Sequence, residues 1–189
     1  MTTATDVLAF WLGDPPAPQK QWFARSDAID AEIRTRFGAT IESAARGDLD
    51  AWASTPLGRV ALVIVLDQFS RNAFRGSARA FAQDARALAL GLEAIASGDD
   101  LAVTPIERHF LYMPLMHSED RVHQDTGVGA FDRLSTTDAP AAITGAIKWA
   151  RMHRDIVTRF GRFPHRNDVL GRASTPEEIE FLKLPGSGF

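Results

Sequence analysis

Apolar residues recur through most of this chain at steps of three and four, the spacing of one face of an α-helix. Ile29, Ile33, Phe37 and Ile41 mark one such face. Phe81, Ala85, Leu88, Leu92 and Ile95 mark a second, on a helix predicted over residues 77–97. A third predicted helix, residues 141–160, carries Trp149, Met152, His153, Ile156, Val157 and Phe160 on one stripe. Arg151, Arg154, Asp155, Thr158 and Arg159 line its other side. A short first helix, capped by Thr5 and Asp6, presents Val7, Leu8, Phe10 and Trp11. The run VALVIVL, residues 60–66, is apolar all round and so belongs to a helix buried among others. Its β-branched residues also suit a buried strand. The helical segments on both sides, and the Thr55-Pro56 start, favour a helix from Pro56 to about Arg71.

Caps and breakers divide the chain further. Ser26, Thr55-Pro56 and Thr104-Pro105 are helix starts, and Thr175 with Glu178 has the spacing of a capping box. Gly47, Gly98 and Gly161 stop helices, and Asn72 is expected to end the buried one in the left-handed conformation. Pro114 is expected to cut the helix that begins at Pro105. Ser118 is then the N-cap of the next helix, whose pattern is weak and interrupted by Gly127 and Gly129. Residues 19–25 are read as a loop returning Trp22 and Phe23 to the core, with Trp52 as a further plug. The result is six or seven helices and no credible hairpin. That predicts an all-α fold of stacked antiparallel helix pairs, in a single domain over residues 1–189.

Composition narrows the function classes. With 45% hydrophobic and 24% charged residues, the chain is ordinary globular protein. A net charge of -3 gives no general attraction to nucleic acid, so any anion site is local. No cysteine is present, which excludes disulfides, thiolate metal sites and cysteine nucleophiles and fits a reducing cytoplasm. The start, MTTATDVLAFWLGD, lacks the basic segment of a signal peptide, and residues 60–66 are too few to span a membrane. A soluble cytoplasmic protein is expected. Arginine outnumbers lysine eighteen to three, which suits bidentate anion contacts but equally a base-composition bias.

Three stretches are rich in the same polar residues: residues 66–76 (LDQFSRNAFRG), 108–120 (RHFLYMPLMHSED) and 151–175 (RMHRDIVTRFGRFPHRNDVLGRAST). They are expected to meet in one polar groove. Asp67 and Arg71 share a helix face. Two segments rhyme, each placing Arg-Asn shortly after a phenylalanine: Arg71-Asn72 and Arg166-Asn167. Arg71, Asn72, Arg75, Arg154, Arg162, Arg166 and Asn167 are the candidates to hold an anion, since planar guanidinium groups suit carboxylate and phosphate. The competing reading pairs these arginines with Asp67, Glu119, Asp120, Asp155 and Asp168 in structural ion networks. His117 and His165, placed in loops after prolines, and Glu119 are the candidates for catalysis. His109 and His153 read as core, and His123 as surface. His117, Glu119, Asp120, His153, Asp155 and His165 hold donors for a metal, but no pair has the HExxH spacing, so no metal is predicted. There is no Walker loop or GxGxxG, so no cofactor is predicted, and no G-x-S-x-G frames Ser70 or Ser118.

WFARSDAIDAEIRTRF, LDQFSRNAFRGSARAFAQD, ERHFLYMPLMHSED and RFGRFPHRNDVLGRASTPEEIEFL, in this order, resemble a bacterial family known as domain of unknown function 924. The resemblance covers residues 7–189. It implies an all-α, right-handed stack of helix pairs similar to the tetratricopeptide-repeat superfamily, and it implies no activity. Its motif positions include Asp67, Gln68, Arg71, Asn72, Arg75, Tyr112, His117, Glu119, His153, Arg162, His165, Arg166 and Asn167. The expected function is binding of a small anionic or polar ligand in an Arg/His-lined groove, with hydrolytic or acid–base chemistry open to it. The alternative is a non-enzymatic helical scaffold that grips a peptide or partner protein on a concave face. No nucleic-acid or membrane partner is expected.

Overall fold

The computed structural model describes residues 2–22 and 25–188; the predicted placement of Phe23 lies outside them. Eight main helices form, and no strand occurs among the described residues. α1 (Ala4–Leu12) starts two residues earlier than expected. Thr3 is its N-cap, and Asp6 closes a capping box by accepting from the Thr3 amide at 2.8 Å. α2 (Asp27–Arg46) is capped by Ser26 and stopped by Gly47, which sits at φ 93, a conformation that glycine adopts without a Cβ penalty. Ile33, Phe37 and Ile41 are its buried face, as the four-residue spacing predicts.

α3 begins at Thr55-Pro56 and is buried throughout the apolar run. It is α-helical over Pro56–Val63, π-helical over Ile64–Phe69, and α-helical again over Ser70–Ala73. Asn72 does not end it in the left-handed conformation. No described residue other than glycine has positive φ, and the Asn72 amide donates back to the Gln68 carbonyl at 2.8 Å. The predicted helix 77–97 is also divided. Ser77 caps a 3-10 turn, Ala78–Phe81, and α4 proper spans Asp84–Ser97. The break leaves Asp84 in a helix first turn, where the dipole favours an acid.

α5 (Pro105–His117) runs straight through Pro114. Proline removes one helical hydrogen bond, but Leu111, Tyr112 and Leu115 are buried around it, so packing overrides the local penalty. His117 therefore ends a helix and does not lie in a loop. α6 (Arg121–Ser135) is capped by Asp120, whose carboxylate accepts from the amides of Val122 and His123 at 2.8 and 3.1 Å; Ser118 instead closes α5. The predicted helix 141–160 splits into a single turn, Ala141–Thr144, and α7 (Ile147–Phe160). Its buried stripe is Ala150, His153 and Val157, while Trp149 and Met152 are 45% and 41% exposed. α8 (Pro176–Leu182) has the predicted Thr175–Glu178 capping box.

Helices that follow one another pack side by side: α4 on α5, α5 on α6, and α6 on α7, with α3 against α1, α2 and α5. Phe10, Trp11, Phe37, Phe69 and Phe110 form a chain of edge and tilted ring contacts through the core. Close crossing of α4 and α5 depends on Gly91, where a Cβ would lie 2.5 Å from the Leu111 carbonyl oxygen. Gly91→Ala is expected to cost about 1–3 kcal/mol in denaturant unfolding, because backbone must move. Gly129→Ala, whose Cβ would meet only the far end of Arg133 at 3.8 Å, is expected to be neutral or stabilising. Equal effects at the two sites would refute the close-packing argument.

Candidate functional site: a His–Asp pair in an arginine-lined groove

The π-helical stretch of α3 carries Asp67 and Gln68. A π turn adds a residue to the helix register and re-aims the side chains within it, and such turns are frequent at functional sites. Asp67 is 1% exposed. One carboxylate oxygen lies 2.8 Å from His117 Nδ1 and 2.8 Å from Arg71 Nη1, and the other accepts from Gln68 Nε2 at 2.5 Å. Burial alone would raise the Asp67 carboxyl; Arg71 and His117 outweigh it and hold the group well below the usual carboxylate range. The predicted Asp67–Arg71 pair is thus present, with a second partner that the chain supplies from α5.

Arg71 reaches further. Its two terminal nitrogens donate to the two oxygens of Asp84 at 2.9 and 3.0 Å, a bidentate pair. Asp84 also accepts from Arg166 Nη1 at 3.3 Å, and Arg166 Nη2 donates to the His117 carbonyl at 2.9 Å. Asp67, Arg71, Asp84, Arg166 and His117 form a closed ring. The ring joins the two rhyming segments through a carboxylate that neither contains. Arg166 is 6% exposed, with its guanidinium 4.8 Å from the Phe81 ring centre and 4.5 Å from that of Phe163. Burial, helped by Arg71, pushes it down to about 10.

Since Asp67 is ionised and can only accept, the bond to His117 is donated by Nδ1–H. That leaves Nε2 of a neutral His117 as the acceptor, and Nε2 has no hydrogen-bond partner among the described residues. Burial, then Arg71, lower the His117 pKa against the pull of Asp67. The ring of His153 lies 6.2 Å from that of His117, and its Nδ1 is 2.8 Å from the Trp149 carbonyl. Burial pushes His153 down to about 3 and His165 down to about 4.

Arg71, Arg166 and the three histidines border two cavities that share part of their lining. The larger, about 800 Å³, is lined by Trp11, Trp22, Phe110, Met113, Met116, Trp149 and the polar side chains of Gln21, Arg25, Gln68, Asn72 and His109, among others. The smaller, about 270 Å³, is lined by Gly76, Ala80, Phe81, His165 and Arg166. Arg71, Arg75, His117 and His153 border both. Arg75 is held by Asp30 at 2.7 and 2.9 Å and by Asn72 at 3.0 Å, and its Nη1 is unengaged among the described residues.

Of the residues singled out in the sequence, His117, His165, Arg71, Asn72, Arg75 and Arg166 border the groove. Four others do not. Glu119 is engaged by Arg172 at 2.6 and 2.9 Å and by the Phe163 amide at 2.8 Å, which ties the α5–α6 corner to the loop after α7. Arg162 is chelated by Glu178 at 2.7 and 2.8 Å. Asn167 is buried and donates to Ser174 and Glu178 at 3.0 and 3.2 Å. Arg154 pairs with its neighbour Asp155 at 3.1 Å. His109 and His153, expected in the core, are buried and also line the groove; Asp84, inside a predicted continuous helix, joins Arg71 to Arg166. Among the described residues no three histidine or acidic side chains cluster as metal ligands, and no helix is long and apolar enough to cross a membrane.

Residues 7–186 match a family described as bacterial protein of unknown function (DUF924). No protein of curated function matches the chain. The solved structure of a protein of unknown function, ATU0120, from Agrobacterium tumefaciens is 39% identical, covers 95% of this chain and 96% of its own, and superposes with a TM-score of 0.83. The all-α fold is shared over that length.

Proposed function

This chain belongs to the DUF924 family of bacterial proteins of unknown function, and from the groove it builds we propose that it binds a small polar or anionic molecule and performs acid–base chemistry on it through His117. The observation that carries the reading is the buried Asp67–His117 pair, whose histidine lines both cavities. A buried carboxylate that holds Nδ1–H fixes the tautomer and the ring orientation and stabilises the imidazolium formed when Nε2 takes a proton. The lowered pKa keeps His117 neutral near pH 7, so it is ready to act as a base. Arg75, half-exposed and with Nη1 unengaged, is the donor placed to meet an incoming anion.

The substitution that isolates this role is His117→Asn. Its side-chain amide keeps a donor near the Nδ1 position for Asp67, and it removes Nε2. Turnover of p-nitrophenyl acetate at pH 7 is expected to fall by about 10²–10⁴-fold, the usual contribution of a positioned acid–base group. The melting temperature is expected to stay near that of the parent, and acetate and inorganic phosphate are expected still to raise it. Undiminished turnover in the variant would remove His117 from the chemistry. No rise in the parent's melting temperature with either anion would overturn the binding half.

A further inference from the structure

The groove carries most of its large apolar side chains on one cavity, beside Gln21, Arg25, Gln68, Asn72 and His109. Trp11, Trp22, Phe110, Met113, Met116 and Trp149 border the larger cavity and not the smaller. The residues common to both are Arg71, Arg75, His117 and His153, and the smaller cavity adds Arg166 and His165. Its volume, about 270 Å³, suits a compact oxyanion group, while about 800 Å³ exceeds what such a group needs.

Trp149 adds a large ring, 45% exposed, at the apolar end.

We infer that the molecule bound here is an amphiphilic anion: a carboxylate or similar oxyanion head at the Arg/His end, and an acyl or aryl body along the tryptophan and methionine wall. His117, bordering both cavities, faces the junction of head and body. The inference rests on the ligand-binding reading above and adds the class of ligand to it. Methionine and aromatic walls accommodate varied apolar shapes, so the wall selects for an apolar body and the cationic end for its charge.

Chain length tests it. Acetate, butyrate, hexanoate and octanoate are titrated into the whole protein, followed by tryptophan fluorescence, with 1-octanol as the uncharged control. Each buried methylene is expected to tighten binding by about threefold to fourfold, and octanoate to bind at least about tenfold tighter than octanol. Ala142 is exposed and borders only the larger cavity, so Ala142→Trp narrows the apolar end without disturbing the core. It is expected to weaken octanoate by about tenfold and leave acetate unchanged. Equal affinity for acetate and octanoate, or octanoate binding that ignores Ala142→Trp, overturns the inference while leaving an anion site. Octanol binding as tightly as octanoate overturns the anionic head. Failure of every carboxylate to bind overturns the ligand-binding reading itself.

Discussion

Between pH 6.5 and about 4.5 this protein is expected to lose most of its stability. His109, His153 and His165 are held at about 4, 3 and 4 by burial in the folded chain, against 6.5 for an unperturbed histidine. The unfolded chain binds these protons as the pH falls through 6.5, and the folded chain does not until far lower. Their contribution is therefore fully present above pH 6.5 and is lost as the pH falls toward the folded values. Each proton changes stability by about 1.4 kcal/mol per pH unit, so three change it by about 4. At that slope two units remove about 8 kcal/mol, most of what a domain near the middle of the usual range of about 5–15 kcal/mol has in hand. Asp67 adds nothing in this window, since its lowered pKa matters only below the ordinary carboxylate range. Urea unfolding at pH 7.5, 6, 5 and 4.5 reads the slope directly, and a flat profile from pH 7 to 5 would contradict it. His109→Phe refines the assignment. The ring lies in edge contacts at 5.2 and 5.5 Å from Phe110 and Phe131, and its Nδ1 has no partner to lose. The variant is expected to shed about one proton of slope and to be more stable than the parent at pH 5.

Replacing Asp67 by alanine is expected to destabilise the protein by about 3–5 kcal/mol, the cost of breaking a buried charged network by removing one partner. The carboxylate is the acceptor for His117, Arg71 and Gln68, and all three lose it at once. In a chain of this size the melting temperature falls by about 2–4 °C per kcal/mol, so a drop of about 10 °C is the expected reading by circular dichroism. Arg154→Ala, which breaks only the exposed pair with Asp155, is expected to cost less than about 1 kcal/mol. Similar losses at both positions would show that the ring around Asp67 contributes no more than a surface ion pair.

The two predictions concern residues that differ in how they could be read from the chain. Asp67 and Arg71 were legible because their interaction is local: a spacing of four on a helix decides it. Arg71, Arg75, Arg166, His117 and His165 were found by residue type and by their crowding near predicted helix ends. The burial of His109 and His153 was legible from their apolar stripes, but their place on a cavity was not, because a histidine on such a stripe has the same sequence signature whether its neighbour is a phenylalanine or a cavity. Glu119, Arg162 and Asn167 look like site residues by the same crowding, yet they bond to Arg172, Glu178 and Ser174, which lie 53, 16 and 7 residues away. Nothing local distinguishes a charge that pins a loop from one that meets a ligand.

The all-α class, the buried helix of VALVIVL, and the starts at Ser26, Thr55, Thr104 and Thr175 are written in the chain itself. These follow from short-range rules, in which a side chain satisfies backbone amides within three residues or a face repeats every three to four. Tertiary structure alone decided that α5 continues through Pro114, that the helix predicted over residues 77–97 breaks to offer Asp84, and that α3 passes through a π turn at Asp67. In each case burial or a buried ion pair outweighs a local preference worth a few kcal/mol at most. The ring of Asp67, Arg71, Asp84, Arg166 and His117 draws on four separate parts of the chain, up to 82 residues apart in a single bond. Only packing brings them to one place.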